Sequence, residues 1–202
     1  MPSQITHIFQ AQRFLRLHPE YEAGEFLSGT VFPDIRVLGV IERGRTHPGP
    51  ASLEDVLAER DPWRAGFTFH RYLDLTWDAW VRSYQVEPKY DVWKPFSNAV
   101  KLLQDEVLFE QSLEFRDLAL ELWPVREQEL AFGVSPKAVK HWHGVIASYL
   151  VAGPTHAALR KLLLAQHNPS GWIDEVLGYL RYIEATPRWA ERIREFSREL
   201  RL

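Results

Sequence analysis

Apolar side chains in this chain recur every three or four residues and almost never at every second residue. That period commits nearly the whole length to helices. Thr6 to Leu17 carries Ile8, Phe9, Ala11, Phe14 and Leu15 on this period, with Thr6 as the expected N-cap. Tyr21 to Phe32 repeats it across Gly24 and Gly29, until Pro33-Asp34 forces a turn. Gly39, Gly44, Pro48, Gly49 and Pro50 make 35–51 a loop, within which Val37 to Ile41 alone has a brief strand-like alternation. Ser52, with Glu54 and Asp55 behind it, starts a helix that ends near Arg60. Asp61-Pro62 starts the next, which can run to Tyr84. Glu87 to Pro95 reads as loop. The helical period then returns over 96–110, 112–131, 136–151, 155–166, 171–184 and 188–201, with Pro124 kinking or splitting the second of these. The expected fold is all-α: a single multi-helix bundle over residues 1–202, without repeats, low-complexity tracts or linkers.

Composition narrows the function classes. With 8 Trp, 7 Tyr and 11 Phe, the chain has ample material for a core. There is no Cys, which excludes disulfides, thiolate metal ligands and a cysteine nucleophile. A net charge of -3 offers no footprint for duplex nucleic acid. No apolar run approaches the roughly 20 residues a membrane span needs. Met1-Pro2-Ser3-Gln4 has neither a basic nor an apolar signal-peptide region, so the expected location is the cytoplasm. The final helix places Trp189, Ile193, Phe196 and Leu200 on one stripe between charges of both signs. Docking on the bundle is its first expected role, a homodimer interface the second and membrane association the third.

Chemistry concentrates in the first 74 residues. His70 and Asp74 are spaced i, i+4 in the 62–84 helix, which puts an imidazole and a carboxylate on one face, one turn apart. Phe67, Phe69, Leu73 and Trp77 flank them, so the pair is expected to be buried, where a cation would relieve the desolvation of its charge. His7 lies early in the first helix, Asp34 follows Pro33, and His47 ends the Arg43-Gly44-Arg45-Thr46-His47 loop. Three His and two carboxylates suit zinc, iron, manganese or cobalt. By contrast, His141-Trp142-His143 is spaced i, i+2, which turns the two rings to different sides of a helix and reads as one core and one surface histidine. The recurring aromatics, among them Trp77, Trp123, Tyr149, Tyr179 and Tyr182, read as core and inter-helix packing.

The order His7 … Pro33-Asp34 … Arg43-x-x-Thr46-His47 … Gly66-x-x-x-His70-x-x-x-Asp74 resembles the zinc-dependent phospholipase C family and its cytoplasmic relatives, over roughly residues 1–80. The resemblance implies an all-helical bundle of the phospholipase C/P1 nuclease-like or HD-like kind. It also implies that Asp34, His47, His70 and Asp74 bind one metal and that His7 helps bind a second. No later His-x-x-x-Glu pair matches the further ligands of the secreted enzymes, so the expectation is one or two divalent ions, zinc first, with iron or manganese as alternatives. Ala65 to Asp74, with Gln104-Asp105-Glu106-Val107-Leu108, is similar more weakly to the acyl carrier protein phosphodiesterases, which adds Asp105 as a metal or base candidate.

Both resemblances imply metal-assisted hydrolysis of a small phosphoester. Asp34 and Asp105 are then the catalytic candidates, and Arg43, Arg45 and Arg71 the phosphate-binding ones. Two other readings stay open: a degenerate metal-binding bundle with a binding or structural role, and a metal hydrolase acting on a non-phosphate bond.

Overall fold

The computed structural model describes residues 3–83, 95–111 and 115–199. Among them every regular element is helical. In chain order these are α1 (Gln4–Leu17), α2 (Ala23–Val31), a 3-10 helix (Phe32–Leu38), α3 (Arg43–Thr46), α4 (Leu53–Ala58), α5 (Pro62–Ser83), α6 (Pro95–Phe109), α7 (Phe115–Glu121), α8 (Glu127–Leu130), α9 (Pro136–Ala152), α10 (His156–Ala165), α11 (Ser170–Glu184) and α12 (Pro187–Glu199). The all-α expectation holds, and no helix of the described residues is long and apolar enough to cross a membrane.

Local signals account for most helix ends. Ser52 and Asp55 form a reciprocal capping box on α4, and the Asp61 carboxylate accepts from the Arg64 N–H at the start of α5. Ser135 and Thr155 cap α9 and α10. Pro124 splits the expected 112–131 helix into α7 and α8, as its missing N–H requires. The expected 87–95 loop lies almost wholly outside the described residues.

The first quarter of the chain differs from expectation in three respects. Helix α1 begins at Gln4 after Ser3, so Thr6 is not the N-cap but sits inside the first turn. Its N–H and Oγ1 donate to Asp105 Oδ1 at 2.9 and 3.0 Å, so α6 supplies the acceptor that a cap would otherwise provide. Residues 35–51 are not all loop: Pro33 opens the 3-10 turn, Gly39 at φ 69° closes it, and α3 follows. Val37 therefore sits on a 3-10 helix rather than a strand. Among the aromatics expected to pack, Trp123, Tyr179 and Tyr182 are exposed, the first just past the end of α7 and the other two on α11, where Tyr179 still meets Phe96 edge-on.

The core runs continuously through the bundle, with Trp77, Trp142, Phe14, Phe26, Phe69 and Phe115 fully buried. Its tightest seam joins α2 to α5. A Cβ at Gly29 would lie 2.0 Å from the Trp63 carbonyl oxygen, and one at Gly66 would lie 2.0 Å from that of Phe26. Only glycine at both points lets the two backbones approach this closely. Packing thus offsets the loss of helix propensity at Gly29. At the far end, Ile193 of α12 is fully buried and Trp189 packs on Phe96, so the described part of α12 docks on the bundle.

Candidate metal centre

The α2–α5 seam delivers the first candidate ligand. Because Gly66 and Gly29 draw the helices together, the Thr30 carbonyl comes within 2.8 Å of His70 Nδ1. Asp105 sets α1 in place, with Tyr149 donating to its other oxygen at 2.9 Å, and His7 follows Thr6 on that helix. Asp34 sits in the first turn of the 3-10 helix, held at its base by Trp142 Nε1 donating to the Val31 carbonyl at 3.0 Å. His47 is the residue that ends α3.

These elements bring all five candidate ligands together. His7 and His70 are fully buried, Asp34 and Asp74 are 4% and 6% exposed, and the His47 ring is nearly enclosed. The His7 and His70 rings stack at 4.1 Å, and the His47 ring meets that of His70 edge-on at 5.2 Å. His7 Nε2 lies 3.5 Å from Asp74 Oδ1, and His47 Nε2 lies 3.3 Å from Asp74 Oδ2. His70 Nε2 lies 3.7 Å from Asp74 Oδ2 and 4.0 Å from Asp34 Oδ1. The ligand atoms fall into two overlapping triplets, His7–His70–Asp74 and Asp34–His47–His70, each spanning less than 4.8 Å.

Hydrogen bonding assigns the tautomers. His7 Nδ1 faces the Ser3 carbonyl at 3.1 Å, His47 Nδ1 faces Thr46 Oγ1 at 2.9 Å, and His70 Nδ1 faces the Thr30 carbonyl. The two carbonyls can only accept, and Thr46 Oγ1 has its own acceptor in the Arg43 carbonyl, so each ring donates through Nδ1. Each Nε2 then carries a bare lone pair turned inward. None of the three Nε2 atoms and neither oxygen of Asp74 has a hydrogen-bond partner. Lone pairs facing a carboxylate at this depth repel one another unless a cation lies between them. A divalent ion fits this donor set and resolves the conflict.

Ionisation shows the same conflict. Burial, and then the neighbouring His7, push His70 down to about 3 against the pull of Asp74 and Asp34, so the ring is neutral at ordinary pH. Burial pushes Asp74 and Asp34 up; positive charge on His70, with the His47 and His7 rings against Asp74 and the Arg36 guanidinium beside Asp34, pulls them down for a net downward shift. A ring exerts that pull only with a proton on Nε2, so a neutral ring and an ionised carboxylate coexist here when a cation replaces the proton, and a metal would require those two states.

The other sequence candidates are placed differently. Asp105 is outside both triplets: its carboxylate is bound by Thr6 and Tyr149, which makes it an anchor for α1. Arg71 directs Nε and Nη2 to the Gly49 and Pro50 carbonyls at 3.2 and 3.0 Å, so its donors hold the loop. Arg45 lies over the Phe132 ring at 6.0 Å. Arg43 alone of the three lines the cleft of about 480 Å³ that reaches Asp34. Sequence reasoning missed Gln4, whose Nε2 donates to Asp34 Oδ2 at 2.7 Å, and Arg36, 3.4 Å from Asp34 Oδ1. Gln4 precedes His7 by three residues on the same helix, a spacing that could have pointed to it. His143 is a core residue paired with Glu129 at 2.8 Å, and His141 is on the surface, as the i, i+2 spacing implied. A third grouping, Glu106, His156 and Glu184, lies nearer the surface, with His156 paired to Glu184 at 2.8 Å.

No protein-family model matches this chain, and neither a curated protein nor a solved structure matches it.

Proposed function

We propose that the chain is a metal-dependent hydrolase of a phosphoester, with His7, Asp34, His47, His70 and Asp74 holding one or two divalent ions, zinc the first choice. One observation carries the reading: five buried donor atoms, three Nε2 and both Asp74 oxygens, converge without partners while the opposite nitrogen of each ring is tied to an oxygen acceptor. A divalent ion in such a set lowers the pKa of water from 15.7 to roughly 7 and neutralises phosphoryl oxygens, which is the chemistry an anionic ester needs.

The chain's own residues divide the remaining work. Ser3, Thr46 and Thr30 orient the imidazoles through Nδ1. Gln4 and Arg36 take one oxygen each of Asp34 and aim its carboxylate. The lowered pKa of Asp34 suits a ligand better than a proton acceptor, so of the two roles open to it the ligand role is assigned. Of the five candidate ligands, Asp34 lines the cleft.

Turnover of bis-p-nitrophenyl phosphate and p-nitrophenyl phosphate with added Zn²⁺, Mn²⁺ or Fe²⁺ tests the reading. The expected result is turnover that chelation and Asp74→Asn both abolish. Metal uptake without turnover of any phosphoester would instead favour the degenerate metal-binding bundle.

A further inference from the structure

The cleft beside Asp34 has a composition that the metal centre does not explain. Its volume, about 480 Å³, falls within the range of roughly 300–1,000 Å³ typical of small-molecule sites. At the end near the metal centre it is lined by Asp34, Gln4, Arg36, Arg43 and Lys101. Lys101 is only 8% exposed, and its ammonium lies 5.6 Å over the Trp77 ring. A lysine so deeply enclosed is rare and is kept where negative charge meets it. Asp78, Asp74 and Asp34 act on it from the protein side. Arg36, Arg43 and Lys101 thus bring three cationic side chains to one cleft, beside Asp34 and Asp78.

Gln4, 3% exposed, lines the same cleft and holds Asp34 through its Nε2. The rest of the lining differs in chemistry: Trp172, Leu162 and Leu163 present an aromatic and aliphatic surface.

Resting on the hydrolase reading above, we propose that this cleft binds a small organic phosphate, its phosphoryl oxygens between Lys101, Arg36 and Arg43 and its organic part against Trp172, Leu162 and Leu163. The cleft's volume suits a compact ester and not a polymer strand or a diacyl chain. Lys101 and Trp172 thereby become specificity residues of the cleft, neither of them a metal ligand.

Phenylphosphonate, which has an aromatic ring and cannot be hydrolysed, is the probe. Calorimetric titration of the zinc-loaded protein is expected to show saturable binding, weakened at least tenfold in Lys101→Met and severalfold in Trp172→Ala. Zinc stoichiometry should be unchanged in both. Arg45→Gln removes the same charge outside the cleft and should leave the affinity at the wild-type value. If Lys101→Met does not fold, Trp172→Ala decides. Wild-type affinity in the folded variants overturns the proposal, as does binding to phosphatidic acid vesicles without binding to phenylphosphonate. A protein that takes up no zinc sinks the hydrolase reading instead. The same titration in chelator then still tests the cleft through its dependence on Lys101.

Discussion

Replacing Asp74 by Asn distinguishes a metal centre from a buried ion pair, because the two make opposite forecasts for the metal-free protein. Asp74 is 6% exposed, and its oxygens face His47 Nε2 at 3.3 Å and His7 Nε2 at 3.5 Å. If those nitrogens carry lone pairs, the metal-free protein holds a buried negative charge against them. Asparagine removes that charge and offers an N–H to one lone pair, a hydrogen bond worth about 1 kcal/mol. Asp74→Asn should then leave the chelated protein as stable as wild type or stabilise it by about 1 kcal/mol. For a chain of 202 residues that is no change or a rise of about 2–4 °C in melting temperature. With zinc the sign reverses. Free zinc a thousandfold above Kd stabilises the wild type by about 4 kcal/mol, or about 8–16 °C, and the variant forfeits most of this. If the histidines were instead protonated partners of Asp74, breaking the pair would cost about 3–5 kcal/mol in chelator and zinc would change little. Thermal unfolding of both proteins in EDTA and in zinc reads the difference. A large destabilisation in EDTA refutes the lone-pair argument.

Three further outcomes are expected. Gly66→Ala puts a methyl 2.0 Å from the Phe26 carbonyl oxygen. It should destabilise by at least about 1–3 kcal/mol and, by drawing Thr30 away from His70, weaken zinc binding about 10–100-fold; denaturant unfolding and zinc titration check both. Tyr149→Phe removes one donor from buried Asp105 and should cost about 1–3 kcal/mol in denaturant unfolding; a loss of a few tenths would contradict the anchoring role. Burial and the facing Glu184 raise Glu106 to about 8, so between its ordinary pKa of 4.5 and about 8 the folded protein keeps a proton that the unfolded chain has released. Stability from this group therefore falls as pH rises through that window, and Glu106→Gln should flatten the decline in melting temperature between pH 5 and pH 8.

The period of the apolar residues and the caps at Ser52 and Asp61 made the helices legible, because those signals are local. The i, i+4 pair His70–Asp74 was legible for the same reason. What one turn of sequence does not encode is which distant group meets which. Thr6 reads as a cap locally, and only the arrival of Asp105 from 99 residues away turns it into an interior residue of α1. Arg71 stands beside a ligand in sequence, yet its donors reach the carbonyls of Gly49 and Pro50. Lys101 and Trp172 carry no local motif and meet at the cleft only through the packing of α6 against α11. Gly29 reads as a weak point in its helix, whereas the structure uses it with Gly66 to bring α2 and α5 into backbone contact.

Anomalous scattering from zinc-loaded crystals tests the central claim most directly. The expected result is a peak enclosed by His7, His47, His70, Asp34 and Asp74 that disappears in His70→Ala. Crystals grown in excess zinc that show no peak among these side chains, or the same peak in His70→Ala, would contradict it.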